Sequence, residues 1–145
     1  MLLNSNQIQE IIPHRYPFLL VDQIESMDET SVVGVKCVTA NEMQFLGHFP
    51  QKHVMPGVLM IEALAQTGAV LLLSMEENKG KIGLLAGVNK ARFYRQVIPG
   101  DKLTLALTFK GFRGSIGFAD AKASVDGEKA VTCELMFAVQ QVDEA

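Results

Sequence analysis

The stretch Pro56-Gly57-Val58-Leu59-Met60-Ile61-Glu62-Ala63-Leu64-Ala65-Gln66-Thr67-Gly68-Ala69-Val70-Leu71-Leu72-Leu73 decides how this 145-residue chain folds. Pro56 suits a helix start, where no intrahelical N–H is required of it. From Val58 onward apolar side chains recur on nearly every side, and a helix coated in this way must be buried over most of its surface. Glu62, Gln66 and Thr67 interrupt the run, leaving it too short and too polar for a good membrane span. The expectation is the core helix of a globular domain, with no membrane insertion. Beyond Leu73 the chain turns polar, and Asn78-Lys79-Gly80 marks the stop.

On the N-terminal side, Asn4 or Ser5 can cap a short amphipathic helix that turns Ile8, Ile11 and Ile12 inward and ends at Pro13. Phe18 to Met27 and Ser31 to Thr39 read as strands joined by Asp28-Glu29-Thr30. Ala40 to Met55 has no sustained period and reads as a structured loop. On the C-terminal side, strand patterns cover Ile82 to Val88, Lys102 to Phe112, Ser115 to Val125 and Lys129 to Val139. Arg113-Gly114 and Asp126-Gly127 supply hairpin turns, and Pro99-Gly100-Asp101 another turn. Lys90 to Val97 is either a strand extension or an irregular edge.

This order lacks βαβαβ alternation, and nothing in it resembles a glycine-rich phosphate loop. The class is α+β, with a curved antiparallel β-sheet wrapped around the long central apolar helix. One sheet cannot cover so much apolar helix surface, so a homodimer is expected. The length fits one domain spanning residues 1–145.

A hydrophobic fraction of 48%, a charged fraction of 20% and a net charge of -3 describe a soluble globule and give no argument for nucleic acid. The N-terminus lacks the basic and apolar regions of a secretory signal, so a cytoplasmic protein is expected. Cys37 and Cys133 are isolated and read as two buried thiols. Between Lys79 and Arg113, eight basic residues face Asp101 alone, so the small net charge conceals a basic band. Folded onto one face, such a band would attract an acidic partner; ordinary solvated strand faces are the alternative.

The chemistry concentrates in Gly47-His48-Phe49-Pro50 and the helix start nine residues beyond His48. An imidazole with an unperturbed pKa of about 6.5 can be a neutral base near pH 7. Here it sits in a tight turn beside Phe49. Glu62 within an apolar helix is costly unless paired, neutral or functional, and burial should raise its pKa toward a proton-donating range. Gln66 lies one turn on and can orient the carboxyl group. A satisfied loop histidine and a purely structural Glu62–Gln66 pair are the competing readings. Gly57, following Pro56, offers a free helix-start N–H that a carbonyl oxygen can approach closely. Such a donor stabilises negative charge as the adjacent carbon loses its proton. The implied reaction is removal of an alpha proton by His48 and protonation of a beta hydroxyl by Glu62.

His14 is expected to pack in a turn and His53 to be exposed. With His48, the histidines lack compact metal-ligand spacing, so no metal is called for. Phe18, Phe45, Phe49, Phe93 and Phe109 are core candidates, one or two of which line an acyl pocket.

These residues resemble the bacterial 3-hydroxyacyl-[acyl-carrier-protein] dehydratase family, FabZ type. The likeness runs through His14-Arg15-Tyr16-Pro17-Phe18-Leu19-Leu20-Val21-Asp22, Gly47-His48-Phe49-Pro50, Met55-Pro56-Gly57-Val58-Leu59 and Glu62-Ala63-Leu64-Ala65-Gln66. Lys90-Ala91-Arg92-Phe93, Pro99-Gly100-Asp101 and Val125-Asp126-Gly127 extend it. The resemblance implies a hotdog fold and dehydration of a 3-hydroxyacyl thioester on acyl carrier protein to the trans-2-enoyl product. It implies no metal or redox cofactor, and an active site at a dimer interface, with three dimers commonly assembled into a hexamer. By that resemblance His48 and Glu62 are the catalytic pair, from opposite subunits, and the Gly57 amide binds the thioester carbonyl. Gln66, Phe49 and Pro56 support the site.

The acidic carrier gives the basic band a purpose, with Lys90, Arg92 and Arg95 as docking candidates. The related dehydratase/isomerase usually has aspartate where this chain has Glu62, which looks like the dehydratase-only branch. Met43, His53 and Gln96 stand where the family often has proline, which loosens the expected pocket mouth. A thioesterase on the same fold and a non-enzymatic fatty-acyl binding module are the alternative functions.

Overall fold

In the computed structural model, which describes residues 1–143, the apolar stretch forms helix α2, Gly57–Ser74, with Pro56 as its cap. Before it come α1 (Ser5–Ile11), β1 (Gln23–Met27), β2 (Ser31–Cys37) and a 3-10 turn over Met43–Leu46. After it come a second 3-10 turn (Glu76–Asn78), β3 (Ile82–Phe93), β4 (Lys102–Arg113), β5 (Ile116–Val125) and β6 (Glu128–Gln140). The strands form one antiparallel sheet in the order β1-β2-β4-β5-β6-β3. This is the hotdog arrangement, with α2 as the filling: the helix packs against β2 through β6.

Burial follows the helix composition. From Met60 to Leu73 every α2 residue except Glu62 is buried. Leu64 and Leu72 are fully inaccessible, and each such leucine contributes roughly 1.5–3 kcal/mol by leaving water. Gly68 permits the close approach of helix to sheet. A Cβ there would lie 2.8 Å from the Phe137 ring and 3.0 Å from Leu107. Contrary to the expectation of a run too short and too polar, α2 has the length and hydropathy of a membrane span, yet two thirds of it is buried inside this fold.

The short helix is capped by Asn4, whose side chain accepts from the Gln7 N–H while Gln7 accepts from the Asn4 N–H. Ile8 and Ile12 enter the core as expected. In the β1–β2 turn, the Asp28 carboxylate accepts from the Thr30 and Ser31 N–H groups. At the β5–β6 turn, Asp126 and Gly127 both take positive φ, the conformation of a tight two-residue hairpin turn.

Three expectations change. The first strand begins at Gln23 and not Phe18, because Gln66 of α2 satisfies the backbone there. Its amide donates to the Phe18 carbonyl at 2.7 Å, and its Oε1 accepts from the Leu20 N–H at 2.7 Å. β3 runs on to Phe93 through bulges, with Lys90 at φ 54, so the ambiguous Lys90 segment is a bent strand end. Cys37 is exposed, whereas Cys133 is buried and its thiol pKa is pushed up to about 11. Cys37 is the last residue of β2, just past the buried residues 34–36.

Sheet order leaves β3 as an edge strand with Leu84, Leu85 and Val88 exposed. Of the helix contacts, Leu64 tests the core most directly. Leu64→Ala should lower unfolding stability by about 2–5 kcal/mol, the range for a buried leucine that leaves a cavity. Urea denaturation measures this, and a loss below about 1 kcal/mol would show that the wrapped helix does not carry the fold.

Candidate active site

The loop after β2 fixes His48 from several sides. Its backbone N–H donates to the Gln44 carbonyl at 3.1 Å, and the Val54 N–H donates back to the His48 carbonyl at 3.0 Å. The ring Nδ1 lies 2.7 Å from the Val54 carbonyl oxygen. A carbonyl can only accept, so Nδ1 carries the proton and Nε2 keeps the free lone pair of the neutral ring. Phe49 stacks on the imidazole with centroids 4.0 Å apart. These contacts hold the imidazole in one tautomer and one orientation.

His48 opens into a cleft of about 580 Å³ bordered by Met55, Gly57, Val58, Phe93 and Arg95. Gly57 is the first residue of α2, so its N–H has no partner within the helix and lies at the positive end of the helix dipole. The glycine has a second reason beyond substrate approach: the Phe93 ring rests on it. A Cβ at position 57 would meet Phe93 at 2.5 Å. Pro56 caps the helix start, and its carbonyl takes the N–H groups of Leu59 and Met60.

Glu62 lines a different cleft, of about 200 Å³, with His14, Phe18, Gln66, Leu84 and Leu85. Within one protomer, then, the two side chains border separate clefts that share no wall residue. The Glu62 side chain is 20% exposed, less buried than its apolar helix suggested. Gln66, almost wholly buried, donates from Nε2 to Glu62 Oε2 at 2.8 Å. Its Oε1 is committed to the Leu20 N–H, so the Gln66 amide can present only N–H groups to the carboxyl group. Oε2 is thereby anchored.

His14, read from sequence as a turn-packing residue, belongs to this cleft. Its Nε2 is 3.7 Å from Glu62 Oε2, and its buried Nδ1 has no hydrogen-bond partner among the described residues. Arg15 staples the segment by donating to the Gln9, Ile12 and His14 carbonyls. The signal available in sequence was the Pro13-to-Pro17 bracket around a histidine, but only folding brings it to α2. His53 is exposed beside Phe45, as expected. Among the described residues, no three His, Cys, Asp or Glu side chains gather as metal ligands.

Two of the five phenylalanine core candidates are buried, Phe45 and Phe109. Phe18, Phe49 and Phe93 are about half exposed, and Phe18 and Phe93 line the two clefts. The basic band is also divided. Arg95 borders the His48 cleft and pairs with Glu128 at 2.9 Å, while Lys90 lines a groove on the outer sheet face near Glu134. Arg92 is exposed on β3 and forms no ion pair among the described residues.

Burial lowers the His14 pKa below 6.5; the Glu62 charge opposes this and Arg15 adds to it. Between the folded value and 6.5 the unfolded chain binds a proton that the folded chain does not, so His14 makes stability fall as pH drops through that window. An NMR titration should place the His14 midpoint below 6.5, and Glu62→Gln should move it lower by removing the one raising influence. An upward move in that variant would contradict the proximity of the two groups.

The FabA-like domain family model matches residues 12–134. A Clostridium novyi (strain NT) protein named 3-hydroxyacyl-[acyl-carrier-protein] dehydratase FabZ is 59% identical over 140 residues, covering 96% of this chain and 99% of the relative. A Staphylococcus aureus (strain JH9) protein of the same name is 56% identical over 142 residues, covering 97% of each. Among solved structures, the dehydratase heterocomplex ApeI:P of Xenorhabdus doucetiae aligns with TM-score 0.79 at 19% identity, covering 94% of this chain and 93% of that one. A mutant thioesterase from Pseudomonas aeruginosa aligns with TM-score 0.69 at 17% identity over 96% and 95% of the two chains. Those two likenesses speak for the fold, while family matching and full-length identity above one half speak for descent: the chain belongs to the FabA-like family, among its 3-hydroxyacyl-[acyl-carrier-protein] dehydratases of the FabZ type.

Proposed function

We propose that the chain dehydrates (3R)-3-hydroxyacyl-[acyl-carrier-protein] to trans-2-enoyl-[acyl-carrier-protein] in fatty-acid elongation, at sites shared by two subunits. Its full-length FabZ relatives support the reaction over thioester hydrolysis or passive acyl binding. His48 Nε2 takes the alpha proton, and charge developing on the thioester oxygen is met by the Gly57 N–H and the helix dipole. Glu62 gives a proton to the beta hydroxyl, which leaves as water. Proton transfer from the His48 imidazolium back to Glu62 restores the starting state. The reading includes a cytoplasmic enzyme without metal or redox cofactor, assembled as a trimer of dimers, as the family resemblance implies.

The observation that carries the shared site is the position of the two clefts along β3. Leu84 and Leu85, near its start, border the Glu62 cleft; Phe93, at its end, borders the His48 cleft. β3 is an unpaired edge strand. A two-fold copy added antiparallel along that edge exchanges strand ends, setting the His48 end of one subunit against the Glu62 end of the other.

His48→Ala and Glu62→Ala should each fold and lose roughly 10²–10⁴ in turnover, the scale of positioned acid–base catalysis. Mixing the two inactive variants as reassociated dimers distinguishes shared from single-chain sites. Half the random dimers are hybrids with one intact site of two, so recovery should approach about one quarter of wild-type activity. No recovery despite proven hybrid formation would place both residues of a site in one chain. Detection of free acid in place of enoyl thioester would favour hydrolysis instead.

Of the three docking candidates, Arg95 stands at the cleft rim and so has the most direct access to a carrier-borne substrate. Arg95→Ala should therefore weaken use of the carrier substrate more than use of a small thioester, with Lys90→Ala and Arg92→Ala having smaller effects. Equal effects on both substrates would count against carrier docking there.

A further inference from the structure

Outside both clefts, β2 and the His48 loop are joined by a charged pair held away from water. Lys36 Nζ lies 2.8 Å from Glu42 Oε1, with side-chain exposures of 6% and 15%. The same Glu42 oxygen accepts from Gln44 Nε2 at 2.9 Å, and Oε2 accepts from the Thr39 N–H at 2.8 Å. Burial works to raise the Glu42 pKa, but the bonds from Lys36, Thr39 and Gln44 outweigh it and hold the carboxyl group below its ordinary value. Glu42 therefore stays ionised where the enzyme works.

Stability alone is a poor reason for this pair. Removing two charges from water carries a desolvation cost, and an apolar pair of similar volume often serves a fold equally well. Its position suggests a different use. Glu42 precedes the 3-10 turn Met43–Leu46, whose Phe45 is buried, and the Gln44 carbonyl in that turn accepts the His48 N–H at 3.1 Å. Gln44 thus touches Glu42 with its side chain and His48 with its backbone. A continuous path runs from a sheet strand, through two charges and one glutamine, to the imidazole-bearing residue.

We propose that Lys36 and Glu42 are positioning residues for His48, acting through Gln44 to fix the imidazole against the substrate cleft. The proposal rests on the reading of His48 as the base. Neither Lys36 nor Glu42 touches substrate. Their charges give the loop one seat on β2, since the carboxylate must return to the lysine and cannot slide along an apolar surface.

The test is the double variant Lys36→Met/Glu42→Gln, which removes both charges together and leaves neither buried alone. With folding checked by thermal unfolding, kcat on a small thioester should fall roughly 10- to 100-fold while KM changes by less than about twofold, as expected for a misplaced catalytic group. His48 ring resonances should shift or broaden in the same protein, a readout that stability alone would not move. Gln44→Ala, which leaves the pair intact, should lower kcat several-fold and keeps the test decisive if the double variant fails to fold. Unchanged kcat and His48 resonances in the folded double variant, or unchanged kcat in Gln44→Ala, would overturn the proposal. His48→Ala separates the two claims. Its inactivity beside an unaltered double variant refutes positioning alone, whereas its activity refutes the base itself.

Discussion

A helix that is apolar on nearly every side has no face to give to water, and everything else in this fold answers that constraint. The sheet must curve around α2, and β2 through β6 all reach it. Gln66 and Thr67 enter the core with hydrogen bonds that stay within reach: Thr67 donates to the Ala63 carbonyl, and Gln66 ties α2 to the segment between α1 and β1. That second bond network is the more consequential. One buried amide replaces strand pairing at Phe18 and Leu20, brings His14 against α2, and anchors Glu62. A single glutamine therefore shapes both the start of the sheet and the orientation of the Glu62 carboxyl group.

Much of this was legible before folding because the controlling forces are local. Helix α2 follows from a long, nearly all-apolar run, the last three strands from alternation punctuated by Gly114 and Gly127, and the first cap from Asn4, one of two candidates with Ser5. The catalytic candidates were legible for a related reason. An isolated carboxylate in an apolar helix and a histidine bracketed by glycine and proline are local violations of what packing alone would select.

What stayed hidden depends on contacts between distant residues. Phe18 to Leu20 has a strand composition, yet its backbone turns to Gln66, 46 residues beyond Leu20. His14 likewise approaches a residue far along the chain. Lys36 is buried on β2 only because Glu42, across the following loop, folds back to meet it. Of the half-exposed phenylalanines, which the sequence left between core and pocket wall, Phe18 and Phe93 are apolar walls of clefts. Phe93 serves as such a wall while resting on Gly57.

The edge strand β3 connects these observations. Leu84, Leu85 and Val88 are exposed beside unpaired backbone, the combination that invites association with another chain. A lone protomer would carry an adhesive edge together with His48 and Glu62 in separate clefts. Antiparallel pairing of two copies along β3 would cover the edge and join unlike clefts in one operation, twice over by symmetry. Folding, solubility and catalysis then make the same demand on the same strand. Under the proposed two-subunit site, mutations along β3 would act on assembly and activity together, because closing the edge is the step that would bring the two clefts into one place.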